Sequence, residues 1–155
     1  MNVNVEVINS FVRATVHVLK TMAFTEAMAG KPYIKADHTA SGDVSGVIGM
    51  TGEKESSMSL TFTAASICSI VSSMFGEAFD KIDDDVKDAV GELTNMICGD
   101  ARRELEEKGY LVKGAIPTVI TGHDHSIKHM SNDPVIAIPF RISAGTFVLE
   151  LCLNV

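Results

Sequence analysis

Apolar or β-branched residues recur at helical spacing from Val5 to Met22. Val5, Ile8, Phe11, Val12, Thr15, Val16 and Leu19 fall on one side of the helical period. This pattern predicts one long amphipathic helix, ending before the breaker Gly30-Lys31-Pro32, which opens an extended segment. Asp43–Thr51 is short, β-branched and glycine-punctuated, and predicts a strand followed by a turn at Thr51-Gly52-Glu53-Lys54. Met58, Leu60 and Phe62 then alternate with Ser57, Ser59, Thr61 and Thr63, the period of a half-buried strand.

Thr63 is placed to cap a helix over Ala64–Phe75 that Gly76 closes, and a longer helix is expected from about Asp83 to Lys108, stopped by Gly109. Thr118–Thr121 predicts a short strand. Ile136, Ile138, Phe140 and Ile142 alternate with Ala137, Pro139 and Arg141. A turn at Ser143-Ala144-Gly145 leads into a second alternation through Phe147, Leu149, Leu151 and Leu153. These two runs predict an antiparallel hairpin, with an open edge or a bulge at Pro139, which cannot donate to a ladder. The order helix, strands, two helices, strands predicts an α+β fold, a mostly antiparallel sheet with long helices on one face.

The 155 residues are expected to form a single domain, residues 1–155, with 46% hydrophobic and 21% charged side chains. A net charge of -7 and a pI near 5.1 argue against nucleic acid and anionic membrane as partners. Asp80, Asp83, Asp84, Asp85 and Asp88 cluster at the start of the long helix, where acid complements the helix dipole. Cys68, Cys98 and Cys152 lie in apolar contexts without metal-type spacing, as buried reduced thiols do in a cytoplasmic protein. No basic segment leads into a continuous apolar run near the first residue, so no signal peptide is expected, and no apolar stretch approaches membrane-spanning length.

Candidate chemistry concentrates in the long helix, in the stretch DAVGELTNMICGD at Asp88–Asp100. At about 100° per residue, Val86, Ala89, Val90, Leu93, Ile97 and Ala101 share one side, with Met96 at its margin. Asp84, Asp88, Glu92, Asn95 and Gly99 form a line on the other side, directed away from the core. Asn and Gly are poor helix formers, and Gly99 leaves a turn bare for close approach by another molecule. On spacing alone, a solvated face with an incidental Asn is the favoured reading of the pattern.

The residues around that pair carry more. Asp88-x-x-x-Glu92-x-x-Asn95, set within Gly91-Glu92-Leu93-Thr94-Asn95-Met96, is followed by Gly99, Leu105, Gly109 and Pro117-Thr118-Val119-Ile120-Thr121-Gly122. This resembles the signature of the CheC/CheX/FliY phosphatases of bacterial chemotaxis, and the chain length, the single motif and the long first helix resemble the CheX type. Glu6 and Asn9 share the spacing but lack the flanking residues, and are taken as a relic or a coincidence.

The resemblance implies a CheC-like fold and a cytoplasmic phosphatase acting on the phospho-aspartate of a CheY-like response regulator. It implies Asn95 as the amide that positions the attacking water and Glu92 as the carboxylate that docks on the regulator's lysine. Asp88, Thr94 and Gly99 would be supporting surface, and Pro117 would fix the turn into the next strand. The chain would need no cofactor of its own, the divalent metal (Mg) residing on the regulator, and homodimers would form through sheet edges, for which the terminal strands are expected to be exposed. A positioned water suffices for a labile acyl phosphate, and a neutral amide adds no negative charge beside the phosphoryl group. A CheX-like module that binds a regulator without catalysis is the alternative.

The rival site is Gly122-His123-Asp124-His125 with His129, a possible metal set. Flanking turn residues, including Ser131-Asn132-Asp133-Pro134, favour a surface hairpin instead. His17 and His38 have no partner at ligand spacing, and the eight methionines are dispersed as core filling.

Overall fold

The structure, a computed structural model, describes residues 5–52, 55–129 and 134–153. In chain order the elements are α1 (Val5–Ala23), β1 (Met28–Ala29), β2 (Tyr33–Ile34), β3 (Val44–Thr51), β4 (Ser56–Phe62), α2 (Ala64–Phe75) and α3 (Asp84–Glu107). They are followed by β5 (Lys113–Gly114), β6 (Thr118–Thr121), β7 (Val135–Ile142) and β8 (Gly145–Cys152). One eight-stranded sheet runs in the order β1-β7-β8-β4-β3-β5, with β2 also on β7 and β6 also on β3. Every ladder between these strands is antiparallel.

Alternation in the strands builds the face that the helices cover. Phe62, Phe147 and Phe140 sit in register across β4, β8 and β7, with ring centroids 5.1 and 5.0 Å apart. Leu60, Leu149 and Ile138 form the next row, and Met58, Leu151 and Ile136 the one after. On α1 the buried stripe is Val7, Ile8, Phe11, Ala14, Thr15, Val18 and Leu19. Val5 is exposed, and Val12 and Val16 lie only at the margin. The stripe is thus rotated from the expected one, because α1 packs against α3 and α2. Lys108–Glu6, Arg13–Glu104 and His17–Asp100 run down the α1/α3 seam in opposite chain directions, so the two helices are antiparallel.

The caps follow the sequence. Thr63 accepts from the Ser66 amide at 3.2 Å, and Gly76 ends α2 at φ 67°. Asp83 accepts from the Val86 amide at 2.9 Å to start α3, and Gly109 follows its end at φ 92°.

Three expectations need correction. β4 is not half-buried: all seven of its residues are buried, Ser57, Ser59 and Thr61 included. Its polar face is roofed by two loop segments that hydrogen-bond to each other, Ala40 N to His125 O at 2.7 Å and Ile127 N to His38 O at 2.8 Å. Hydroxyls therefore mark a buried polar layer here: Ser45 bonds Thr61 at 2.6 Å, and Ser57 bonds His129 Nδ1 at 2.6 Å. In the same layer Glu150 bonds Lys35 Nζ at 2.9 Å and His129 Nε2 at 3.3 Å.

Second, the terminal strands are not exposed edges. β8 lies between β7 and β4, and β7 is covered by β1 and β2, so the sheet ends on short strands at both sides. Pro139 is tolerated because β1 and β2 are interrupted beside it, where its carbonyl accepts from Gly30 N at 2.7 Å. Third, the described residues 122–129 are loop and not a surface hairpin, with His129 buried. Glu53, Lys54 and Ser131-Asn132-Asp133, expected in turns, lie outside the described residues.

Candidate functional site

The middle of α3 is fixed by what its buried side touches. Val86, Ala89, Val90, Leu93, Ile97 and Ala101 are buried as the periodicity predicts. Thr94 is fully buried, not supporting surface, and donates its hydroxyl to Val90 O at 2.7 Å. It sits against Gly46 of β3, where a methyl group would come within 1.9 Å of Thr94 Oγ1. Gly46 thus allows α3 to settle directly on the sheet, one residue before Asn95.

That contact aims Glu92 and Asn95 outward, side by side on one face. Both are exposed, and neither side chain makes a hydrogen bond or ion pair among the described residues. Asp88 is exposed one turn earlier. Gly99 follows one turn later, half-buried, and a methyl group on its Cα would meet no other atom within 4 Å beyond its own helix turn. The four residues singled out in the sequence therefore share one accessible line.

Two grooves flank the line. On the Glu92 side, a groove of about 610 Å³ lies between the ends of α1 and α2 and the first half of α3, with Met22, Phe75 and Met96 among its walls and Asp85, Asp88 and Glu92 on its rim. On the Asn95 side, a shallower one of about 410 Å³ is bordered by His17, Thr21, Gly99 and Arg103, and shares Met22 and Met96 with the first. Arg103 and His17 reach the intervening Asp100 at 3.0 and 4.0 Å. Burial pushes the nearby Cys98 thiol up to about 11, so it is no nucleophile at neutral pH.

The histidine segment builds no comparable centre. His123 lies at 3.2 Å from Asp43, whose other oxygen accepts from the Ala64 amide at the start of α2. The bond to Asp43 raises the His123 pKa, and the Ala64 and His123 bonds lower that of Asp43. His125 is held by Gly122 O and Ser45, and His129 by Ser57 and Glu150. Among the described residues no three His, Cys, Asp or Glu side chains are grouped to hold a metal ion. Glu6 is paired with Lys108 at 3.3 Å, at the opposite end of the α1/α3 seam from Asn95.

The family model for the chemotaxis phosphatase CheX matches residues 44–141, which include the whole Asp88–Gly122 signature. The chain belongs to the CheX family. Over 150 residues, 96% of each chain, it is 28% identical to the CheY-P phosphatase CheX of Thermotoga maritima. It is 44% identical to the crystal structure of a CheC-like superfamily protein from Shewanella sp. PV-4, covering 99% of this chain and 100% of that one with a TM-score of 0.92. The CheX–CheY–BeF3–Mg2+ complex of Borrelia burgdorferi, 23% identical over 98% of this chain and 100% of that one, shares the fold at a TM-score of 0.82.

In this CheX-family chain the helix line was legible from sequence, but the groove beside it was not. Met22 is 43% exposed and lines that groove with Met96, although dispersed methionines read as core filling. Gly46 also escaped notice, since one glycine in a strand carries no signal for a helix resting on it.

Proposed function

We propose that residues 1–155 act as one phosphatase domain that hydrolyses the phospho-aspartate of a CheY-like response regulator in the cytoplasm. The observation that carries this reading is the pair Glu92 and Asn95, exposed and uncommitted on a helix whose other face is locked into the core. The naming of the Thermotoga relative and the CheY-bound Borrelia structure support the choice of substrate.

In this reading Asn95 holds a water in line with phosphorus. Water attacks, the bond from phosphorus to the aspartyl oxygen breaks, and inorganic phosphate leaves with a free carboxylate behind. The amide orients the water without adding negative charge. Glu92 pairs with the regulator's lysine, because a carboxylate facing the phosphoryl group itself would be repelled. Asp88 and Gly99 extend the contact surface along the same line. The divalent metal belongs to the regulator's phosphorylation site.

Asn95→Ala and Glu92→Ala replace exposed side chains and should unfold at the wild-type temperature. Phosphate release from the phosphorylated regulator should fall to its spontaneous rate with Asn95→Ala, while binding of the beryllofluoride-activated regulator persists. Glu92→Ala should weaken both. A wild-type chain that binds activated regulator but never accelerates phosphate loss would leave the non-catalytic module as the correct description.

We place a homodimer contact at the β1/β2 edge, where Met28, Tyr33 and Ile34 are 73%, 50% and 58% exposed beside an incompletely paired strand. Sedimentation should show a wild-type dimer and an Ile34→Lys monomer; a monomeric wild type refutes it.

A further inference from the structure

The groove on the Glu92 side leaves large apolar side chains of α1 and α2 open to solvent. Phe75 is the last residue of α2 and 56% exposed; Met22 is the penultimate residue of α1 and 43% exposed. They line the groove together with Met96 on α3, an apolar surface left open to water. Around it stand Asp85, Asp88 and Glu92, and among the described residues no lysine or arginine lines it. An apolar floor inside an acidic rim fits an apolar side chain carried between basic ones. A second copy of this chain, offering the same acidic rim, would be repelled, as would nucleic acid or an anionic lipid surface.

The groove is continuous with the working pair. Glu92 belongs to its rim, and Met22 and Met96 are shared with the shallower groove beside Asn95. That second groove is bordered by Arg103 and Asp100, which pair at 3.0 Å, so the ground changes from acidic to charge-balanced across the Glu92–Asn95 line. A partner docking over the line meets uncompensated acid on one flank only, which favours one orientation.

Resting on the phosphatase reading, we infer that the Met22–Phe75–Met96 groove is the docking and specificity site for the regulator. It takes an apolar side chain flanked by lysine or arginine, next to the lysine that meets Glu92. Phe75 and Asp85 act on recognition only; neither touches the reacting atoms. Met chains adapt to the entering group, and the acidic rim rejects regulators that present acid there.

The test is steady-state phosphate release from the phosphorylated CheY-like regulator, with binding of its beryllofluoride-activated form measured in parallel. Phe75→Ala should raise KM and Kd about tenfold with kcat retained, the effect of losing one half-buried ring from an interface. Asp85→Lys should raise both severalfold at low salt, converging on wild type as salt increases. Val5→Ala, an exposed apolar change at the far end of α1, should alter neither. Unchanged KM and Kd in Phe75→Ala and Asp85→Lys, with wild type active, overturn the groove and leave the phosphatase reading standing. If wild type binds without turnover, the phosphatase reading falls and Kd alone decides the groove. If wild type neither binds nor turns over, both are overturned.

Discussion

Replacing Gly99 by Ala should make the protein more stable and a poorer phosphatase. Gly99 sits inside α3, where glycine is about 1 kcal/mol less favourable than alanine because its backbone loses more freedom on folding. Alanine at this place meets no steric objection, since its methyl group has nothing within 4 Å outside its own turn. The gain of about 1 kcal/mol should raise the melting temperature by roughly 2–4 °C for a chain of this size. The same methyl stands in the line Asp88, Glu92, Asn95 and Gly99, where in the proposed complex the bare turn would admit the regulator's surface. Displacing that surface by about an ångström moves the phosphoryl group off Asn95 and should lower kcat/KM by about 10- to 100-fold. Thermal unfolding and phosphate release on one preparation check both halves. General destabilisation cannot imitate the result, because stability moves the opposite way. A stabilised variant with unchanged kcat/KM refutes docking across Gly99, and a lowered melting temperature refutes the empty space beside it.

Two further substitutions test the frame that holds the site. Gly46→Ala drives a methyl into Thr94 Oγ1 and should cost about 3 kcal/mol by overpacking. Thr94→Ala removes the blocking hydroxyl, so the double variant should be more stable than the two single losses sum to, and simple additivity in urea unfolding would refute the contact. Glu150→Gln removes the buried carboxylate that Lys35 and His129 share, and should cost about 3 kcal/mol at neutral pH. Burial raises the Glu150 pKa, but the bonds from His129 and Lys35 outweigh it and hold the carboxyl below the ordinary range. Its stabilisation is therefore present above the unfolded carboxylate range and lost as pH falls through the lower folded value, so the variant's deficit should shrink in acid. A deficit that grows on acidification would reverse the assignment.

The helices were legible because their causes are local. Thr63 and Asp83 cap amides three residues further on, Gly76 and Gly109 adopt positive φ, and the period of α3 separates Leu93 and Ile97 from Glu92 and Asn95 without help from any distant residue. Alternation likewise placed β7 and β8 in one hairpin. The polar face of β4 misled, because alternation reports a difference between two faces and not whether both are covered. Ser57 looks solvated until the loop carrying His129 folds over it from 72 residues away.

Sequence by itself determined the helix that bears Glu92 and Asn95, the outward side on which they lie, and the family signature around them. Tertiary structure alone decided that β8 is central, that α3 rests on Gly46, and that Met22 from α1 and Phe75 from α2 line one groove with Glu92. The physical reason is range. Helix periodicity and capping arise within a few residues, whereas a groove exists only where surfaces far apart in the chain fail to close completely against one another.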